Sequence, residues 1–469
     1  MPGRGVRLYL GAGRLGPAWA GPEQAVLVLG PPRSGKTSAL VIPTVLAAEG
    51  AVVSTSTKPD VLGPTAGARR ARGPCLLFDP SATVRPPPGV EPLRWSPVQG
   101  CGRWDDALLV AHAMVAAARG GAGRADATDH WSERAEAVLA PLLHAAAMAG
   151  ESLPAVLSWI DRRQPAPALR ILDDGGAVVA GDLLAGIAAT DGREQSGIWS
   201  TASGVLAAYR SDATRATTMS ADFDAAAFCR SAGTLYICAT GRHQALAAPL
   251  VVGLVSEIRN AAYEAHARAM TSSGVPPAPV VLALDEVANI APIPDLPSLV
   301  SEGGGQGVLT MACLQDLSQA RVRWGEAADG FLSLFGTTVV LPGIGDVRTL
   351  QALSALSGEE DVPITSVSRP VPQAGRGLAG ALVHRLLVPG ASPRRLDPGL
   401  PTVTASWRRQ PRLPVEELGR GQPGMAVVVD ERNALGWIGL TPWYAHEPWR
   451  SMARTPDLER RFEGPELGR

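Results

Sequence analysis

Residues 24–46 read QAVLVLGPPRSGKTSALVIPTVL. An apolar run closes on Gly30, a short polar stretch follows, and a second apolar run long enough for a buried helix opens at Ser38, which is strand, loop and helix in order. The segment Gly30-Pro31-Pro32-Arg33-Ser34-Gly35-Lys36-Thr37 satisfies G-x-x-x-x-G-K-[ST] in that context. The chemistry behind the pattern is that the backbone N–H groups of Ser34 to Ser38 converge at a helix N-terminus, where unpaired donors and the helix dipole favour phosphate. Gly30, Ser34, Gly35, Lys36, Thr37 and Ser38 are therefore the expected phosphate-binding set, with Lys36 on the β and γ phosphates of ATP and the Thr37 hydroxyl on Mg²⁺.

Further along the chain, Val280 to Leu284 (VVLAL) is a continuous apolar strand ending in Asp285-Glu286. Beside a P-loop such a pair divides its labour. Asp285 is expected to hold the metal through water, and Glu286 to orient and deprotonate the attacking water. Gln315 ends another strand, Gly307 to Cys313, and is read as a sensor of the γ-phosphate or as an ordinary helix-start glutamine. Lys58 and Asp60 follow the strand Ala51 to Ser54 and fall on the sheet edge where ligands bind, either as site residues or as a surface ion pair.

Short apolar strands also stand at Cys75 to Phe78, Thr234 to Ala239 and Thr337 to Leu341, separated by helical stretches, one of them Ala247 to Ala267. This alternation predicts an α/β fold with a central, mostly parallel sheet. From Trp104 to Arg215 alanine and leucine dominate at helical spacing, which predicts an all-α insertion, with Ala116 to Ala127 as a loop inside it. The Pro-, Gly- and Arg-rich stretch from Ser366 to Arg412 reads as a long loop or partly ordered insert. Met425 to Asp430 and Leu435 to Leu440 read as an antiparallel hairpin, and the charged last ~20 residues as peripheral.

Composition narrows the class. The 469 residues are 46% hydrophobic with a formal net charge of -1, so the chain lacks the field of an autonomous nucleic-acid binder, and DNA contact must come from local arginines. Arg69-Arg70, Arg394-Arg395 and Arg408-Arg409 read as solvated surface rather than a pore lining. There are only two lysines, Lys36 and Lys58; arginine cannot replace the compact ammonium of a P-loop, which accounts for Lys36. Cys75, Cys101, Cys229, Cys238 and Cys313 have no paired or metal-ligand spacing and read as buried thiols. No basic leader and no uninterrupted apolar run of ~18 residues is present, so the expectation is a cytoplasmic chain.

Taken together, GPPRSGKTSALVIPTVL, VVSTSTKPDVL, LLFDP with RWSP after it, DHWSERAEAVLAPLL, VVLALDEVANI and GQGVLTMACLQDLSQARVRWG resemble the coupling-protein ATPases of type IV secretion and conjugation, the VirD4/TraG/TraD family. GGGQG and QARVRWG look most like the actinobacterial branch carrying a TraM-recognition domain. The resemblance implies a RecA-like P-loop NTPase domain made of residues 1–103 and 216–469, interrupted by an all-α domain at 104–215. It also implies a homo-hexamer hydrolysing ATP at subunit interfaces, which recruits or pumps DNA, single-stranded or relaxase-linked, and attached protein. Secretion-channel or relaxosome proteins would be its partners, at the inner face of the cell membrane.

Two features depart from the family pattern. The chain starts almost at the P-loop, without the usual transmembrane helices, which implies a soluble variant, a truncation or a separate membrane partner. Gly303-Gly304-Gly305 stands where many relatives carry an arginine, leaving Arg321 and Arg323 as candidates for a trans-acting group or as a solvated helix face. A motor that moves DNA is the leading expectation. The alternative is an ATP-dependent docking receptor for secreted proteins with little motor activity, and nothing like an LSGGQ transporter signature supports a third class.

Overall fold

Eight strands lie side by side and parallel, and all but the exposed two-residue edge strand at Glu91–Pro92 are runs buried between covering helices. The structure, a computed structural model, describes residues 7–118, 127–219, 221, 223–241, 244–272, 274–368 and 402–453. The strands are β1 (Tyr9–Gly13), β2 (Gly16–Trp19), β3 (Val26–Leu29), β4 (Val52–Ser56), β5 (Cys75–Phe78), β6 (Glu91–Pro92), β7 (Thr234–Cys238), β8 (Val280–Leu284), β9 (Val308–Leu314), β10 (Thr337–Val340), β11 (Glu359–Ser368), β12 (Thr402–Pro411), β13 (Met425–Asp430) and β14 (Leu435–Gly439). Twelve of them form one sheet in the order β2-β1-β14-β13-β10-β3-β9-β8-β4-β7-β5-β6. From β10 to β6 every pairing is parallel, so these carboxyl ends share one edge.

The hairpin β13–β14 is antiparallel as its sequence predicts, and β13 continues the sheet beyond β10. The hairpin β1–β2, which the sequence reading did not find, extends it further by pairing with β14. Tyr9, Trp19 and Trp449 meet edge to face there, with the Tyr9 and Trp449 rings 5.0 Å apart. That apolar contact comes from opposite ends of the chain, so no local pattern announced it.

Helices cover the sheet: α1 (Ile42–Ala47), entered through a π-turn at Thr37–Val41, and α2 (Leu62–Arg70). Between β6 and β7 the described chain is helical without strands: α3 (Trp104–Ala118), α4 (Ala127–Ala149), α5 (Leu153–Asp161), α6 (Ala166–Asp174), α7 (Val178–Ala188), α8 (Gly192–Val205) and α9 (Asp212–Ala216), followed by α10 (Ala225–Arg230). Helix α3 reaches Ala118 and α4 starts at Ala127, so the ends of the expected loop are helical and its middle, 119–126, lies outside the described residues. The long α11 (Gln244–Thr271) packs on α3. Among the described residues it is the one helix long and apolar enough to cross a membrane, yet 67% of its apolar window is buried inside the protein. After β8 come α12 (Val287–Ile290) and α13 (Leu296–Glu302), and after β9 comes α14 (Leu317–Trp324).

By packing, the described chain forms two compact units, one of residues up to 350 and from 416, the other of residues 351–415. The second contains β11 and β12, paired antiparallel from Glu359 with Pro411 to Ser368 with Thr402. The expected irregular insert from Ser366 to Arg412 is therefore wrong at both flanks. The apolar alternation is short in both, Val362 and Ile364 in β11 and Val403, Ala405 and Trp407 in β12, it is flanked by charged residues and prolines, and the strands pair across a long separation. Residues 369–401, with Arg394-Arg395, and the charged tail from 454 lie outside the described residues.

Arg69 corrects another expectation. It is fully buried, donating to Thr234 Oγ1 at 2.7 Å, Gly50 O at 2.8 Å, Ala232 O at 2.9 Å and Ala48 O. It gathers the carbonyls that open β4 and β7, and burial pulls its pKa down to about 10. A guanidinium fits there because its fork satisfies several acceptors at once. The five cysteines are free and buried.

The glycine turn before β9 is set by space. A Cβ on Gly304 would lie 1.8 Å from Glu23 O, at the chain entry to β3, whereas one on Gly305 meets nothing within 4 Å. Gly304→Ala is expected to destabilise the fold by about 3 kcal/mol, through overpacking against backbone that cannot yield. Gly305→Ala should stay within about 0.5 kcal/mol of the parent. Chemical denaturation of the two variants side by side checks this, and equal midpoints would contradict the packing.

Candidate nucleotide site

Strand order brings the sequence motifs together. In the parallel ladder Leu29 pairs with Leu314, and Leu284 with Ala312, so the ends of β3, β9 and β8 deliver Gly30, Gln315 and Asp285 to one edge. Gly30 N–H donates to Leu314 O at 3.1 Å and fastens the start of the phosphate loop to β9. A Cβ on Gly30 would stand 2.8 Å from both Leu341 Cβ and Ser34 Oγ, so only glycine fits. Gly35, with φ +98, turns the loop into the helix, and Ala39 N–H donates to its carbonyl at 2.8 Å.

The loop is closed on itself by its lysine. Lys36 is 6% exposed, and its ammonium donates to the carbonyls of Gly30 and, at 3.0 Å, Pro31. Ser38 Oγ donates to Gly35 O at 3.3 Å. Ser34 Oγ is buried without a hydrogen-bond partner. A buried hydroxyl lacking a partner beside a buried ammonium is a seat with polar capacity to spare, and it suits an anion rich in oxygen acceptors.

Across the seat Thr37 Oγ1 donates to Asp285 Oδ2 at 2.6 Å, joining the first turn after the P-loop to the end of β8. Thr55 Oγ1, from β4, donates to Asp285 O at 2.8 Å and holds that strand end from the other side. Asp285 is 5% exposed, and burial pushes its carboxyl up to about 6, against the Thr37 hydrogen bond and the Lys36 charge. Thr37 Oγ1 and the Asp285 carboxylate form a hard oxygen pair of the kind Mg²⁺ takes with phosphate and water oxygens completing its shell. Among the described residues no cluster of three or more His, Cys, Asp or Glu could hold a metal without such help.

Glu286 follows in the left-handed region at φ 54, its backbone N–H donating to Asp285 Oδ1 at 3.1 Å. Its Oε2 accepts from Asn289 Nδ2 at 3.1 Å. Asn289 and Thr55 orient the acidic pair, and the sequence reading gave neither a role; the D-E-V-A-N spacing, three residues on a tight turn, was the available signal. Gln315 is half-buried between the P-loop and the acidic pair, its own N–H bonded to Gln319 Oε1 at 2.9 Å.

Of the remaining candidates, Asp60 is near enough for its charge to add to the upward push on Asp285. Asp60 accepts from Ser56 Oγ at 2.6 Å, and Lys58 is exposed with no ion pair to Asp60 among the described residues. Arg321 is committed to Asp346 at 2.6 Å, both partly buried. Burial favours the neutral Asp346, but hydrogen bonds from Thr349 and Arg321 outweigh it and hold this carboxyl below its usual range. Arg323 is half-buried on the same helix. Arg409 pairs with Glu359 at 2.7 Å on the β11–β12 ribbon.

Residues 4–377 match the family described as type IV secretory system conjugative DNA transfer. No curated protein matches the sequence significantly. Among solved structures the chain is similar to the bacterial conjugative coupling protein TrwBdeltaN70, unbound form, at 17% identity and TM-score 0.63, covering 89% of this chain and 85% of that one. It is also similar to the plasmid coupling protein TrwB in complex with the non-hydrolysable ATP analogue ADPNP (17% identity, TM-score 0.62, 90% and 86% coverage). A third likeness is TrwB in complex with ADP and Mg²⁺ (17% identity, TM-score 0.59, 90% and 85% coverage). At this identity the structural likeness establishes the fold alone, a RecA-like α/β fold with a central, mostly parallel sheet.

The Asp285 environment has a measurable consequence. A carboxyl raised from 3.8 to about 6 holds a proton in the folded state that the unfolded chain has released, so its stability contribution is complete below pH 4 and is lost as pH rises through 6. Asp285→Asn is expected to remove that component, on the order of 2 kcal/mol. Denaturant midpoints of nucleotide-free protein across pH 4 to 8 read it, and an unchanged slope in the variant would contradict the burial argument.

Proposed function

The chain belongs to the type IV secretory system conjugative DNA transfer family, and on that premise we propose that it is a coupling ATPase that uses Mg·ATP to move DNA, with any attached protein, toward a secretion channel. The observation that carries the reading is the Thr37–Asp285 contact across the end of β9, which joins phosphate loop, acidic pair and Gln315 in one seat. TrwB, in the structures named above, carries ADPNP or ADP with Mg²⁺, and the same ligand class suits this seat.

In this reading Lys36 leaves the Gly30 and Pro31 carbonyls for the β and γ phosphates, while Ser34, Gly35 and Ser38 line the rest of the chain of phosphates. Thr37 and Asp285 would hold Mg²⁺, which supplies neutralisation of the charge on the β and γ oxygens. Glu286, steadied by Asn289, takes the proton of the attacking water, and Gln315 reads the γ position. In this reading Gln315, at the end of β9, is the group that responds when the terminal phosphate leaves.

DNA and secretion-system proteins are the partner classes of the family. The finer reading is a homo-hexamer with ATP at subunit interfaces, acting on single-stranded or relaxase-linked DNA. We read residues 104–215 as the all-α domain that meets DNA or cargo, and 1–103 with 216–469 as the motor. In this reading its site of action is the inner face of the cell membrane.

Glu286→Gln is expected to lower kcat at least a hundredfold while leaving the affinity for ATP within a few-fold of the parent. Lys36→Ala should abolish both. Turnover is measured with and without single- and double-stranded DNA at rising protein concentration. Stimulation by DNA that grows with concentration supports an interface-assembled motor, whereas binding with negligible, DNA-indifferent turnover refutes it in favour of a docking receptor.

A further inference from the structure

Pro31 to Ser34 form a tight turn, with Ser34 N–H donating to Pro31 O at 3.3 Å. Pro32 occupies its second position, where the ring fixes a negative φ, and Arg33 the third, at φ 64. Negative then positive φ defines a type II turn, whose third position favours glycine because any Cβ crowds the neighbouring carbonyl. Glycine is plentiful in this chain, 52 residues, and fills many of its left-handed positions. Here the sequence holds an arginine instead.

Two of the six non-glycine residues with positive φ among the described residues, Arg33 and Glu286, belong to the nucleotide site. Strained backbone of this kind persists where a side chain is needed at a fixed place. Arg33 is exposed, and among the described residues its guanidinium has no hydrogen-bond or ion-pair partner. Its neighbours in the turn line the seat: Pro31 O receives the Lys36 ammonium at 3.0 Å, and Ser34 Oγ is buried without a partner.

We propose that Arg33 is a second cationic phosphate ligand of this site, its guanidinium closing over the nucleotide's phosphates from the rim of the loop while Lys36 holds them from the floor. The inference rests on the nucleotide reading given above. The chemistry is that of a planar fork that binds two phosphate oxygens at once, which an ammonium cannot reproduce. An unpaired guanidinium at the mouth also draws in an anion before the buried lysine can reach it. The strain of the turn is thereby retained for binding rather than for folding.

Arg33→Gly separates these roles, because glycine relaxes the turn while removing the fork. Calorimetric titration of the full chain with Mg·ATP, alongside thermal melts of the free proteins, provides the reading. The expected result is ATP binding weaker by roughly tenfold or more in Arg33→Gly, a Tm no lower than the parent, and partial recovery in Arg33→Lys, which keeps charge without the fork. Parent-like affinity in Arg33→Gly, with Lys36→Ala still unable to bind, overturns the inference and leaves the nucleotide reading intact. Unchanged binding with reduced turnover also overturns it, assigning Arg33 to a phosphate held by a neighbouring copy. Failure of the parent chain to bind ATP refutes the nucleotide reading, and this inference with it.

Discussion

Leu29 pairs with Leu314, and Leu284 with Ala312, in a single parallel ladder, and the level at which these three strands end decides what can happen at the sheet's edge. The register is held by burial: β3, β8 and β9 are buried along their whole length, so a slip by one residue would misalign every side chain between two helical layers. Only in this register do Gly30, Gln315 and Asp285 emerge together. The Thr37–Asp285 hydrogen bond then spans a gap that the ladder has already made short.

The same layered packing explains where charge is tolerated inside. Arg69 survives complete burial because carbonyls and a threonine hydroxyl at the starts of β4 and β7 receive its donors, which would otherwise be buried without partners. Glu257 on α11 is raised to about 7 by burial and keeps one hydrogen bond, accepting from Trp95 Nε1 at 2.7 Å. Asp285 follows the same rule at the functional edge, where burial outweighs the Thr37 hydrogen bond and the Lys36 charge. Arg69 is thus fixed where β4 and β7 begin, and Asp285 is set by burial where β8 ends.

The Gly303–Gly305 turn belongs to the opposite end of the ladder, before β9. Backbone from Glu23 comes so near Gly304 that no side chain fits there, whereas Gly305 faces open space. Arg321, the nearest arginine by sequence, is occupied by Asp346. Lys36 and Arg33 are the cations that the phosphate loop itself supplies.

Much of this was legible in the residue order. Apolar runs ending in glycine or acid located β3, β8 and β9, the G-x-x-x-x-G-K-T spacing named the phosphate seat, and alanine-rich helical spacing marked the stretch between Trp104 and Arg215, because these signals are local and repeat with the period of the element they form. The β1–β2 hairpin, the β11–β12 ribbon, the burial of Arg69 and the left-handed turn at Arg33 were not legible. The first three depend on groups brought near from far along the chain, Trp449 against Tyr9, Thr402 against Ser368, Gly50 and Ala232 around one guanidinium, while the Arg33 turn is local but sets an arginine where a glycine is the usual residue. Sequence determined which chemistry this protein carries; tertiary structure decided which of its charged groups are spent on packing and which remain free to meet a phosphate, since that depends on neighbours that no local spacing encodes.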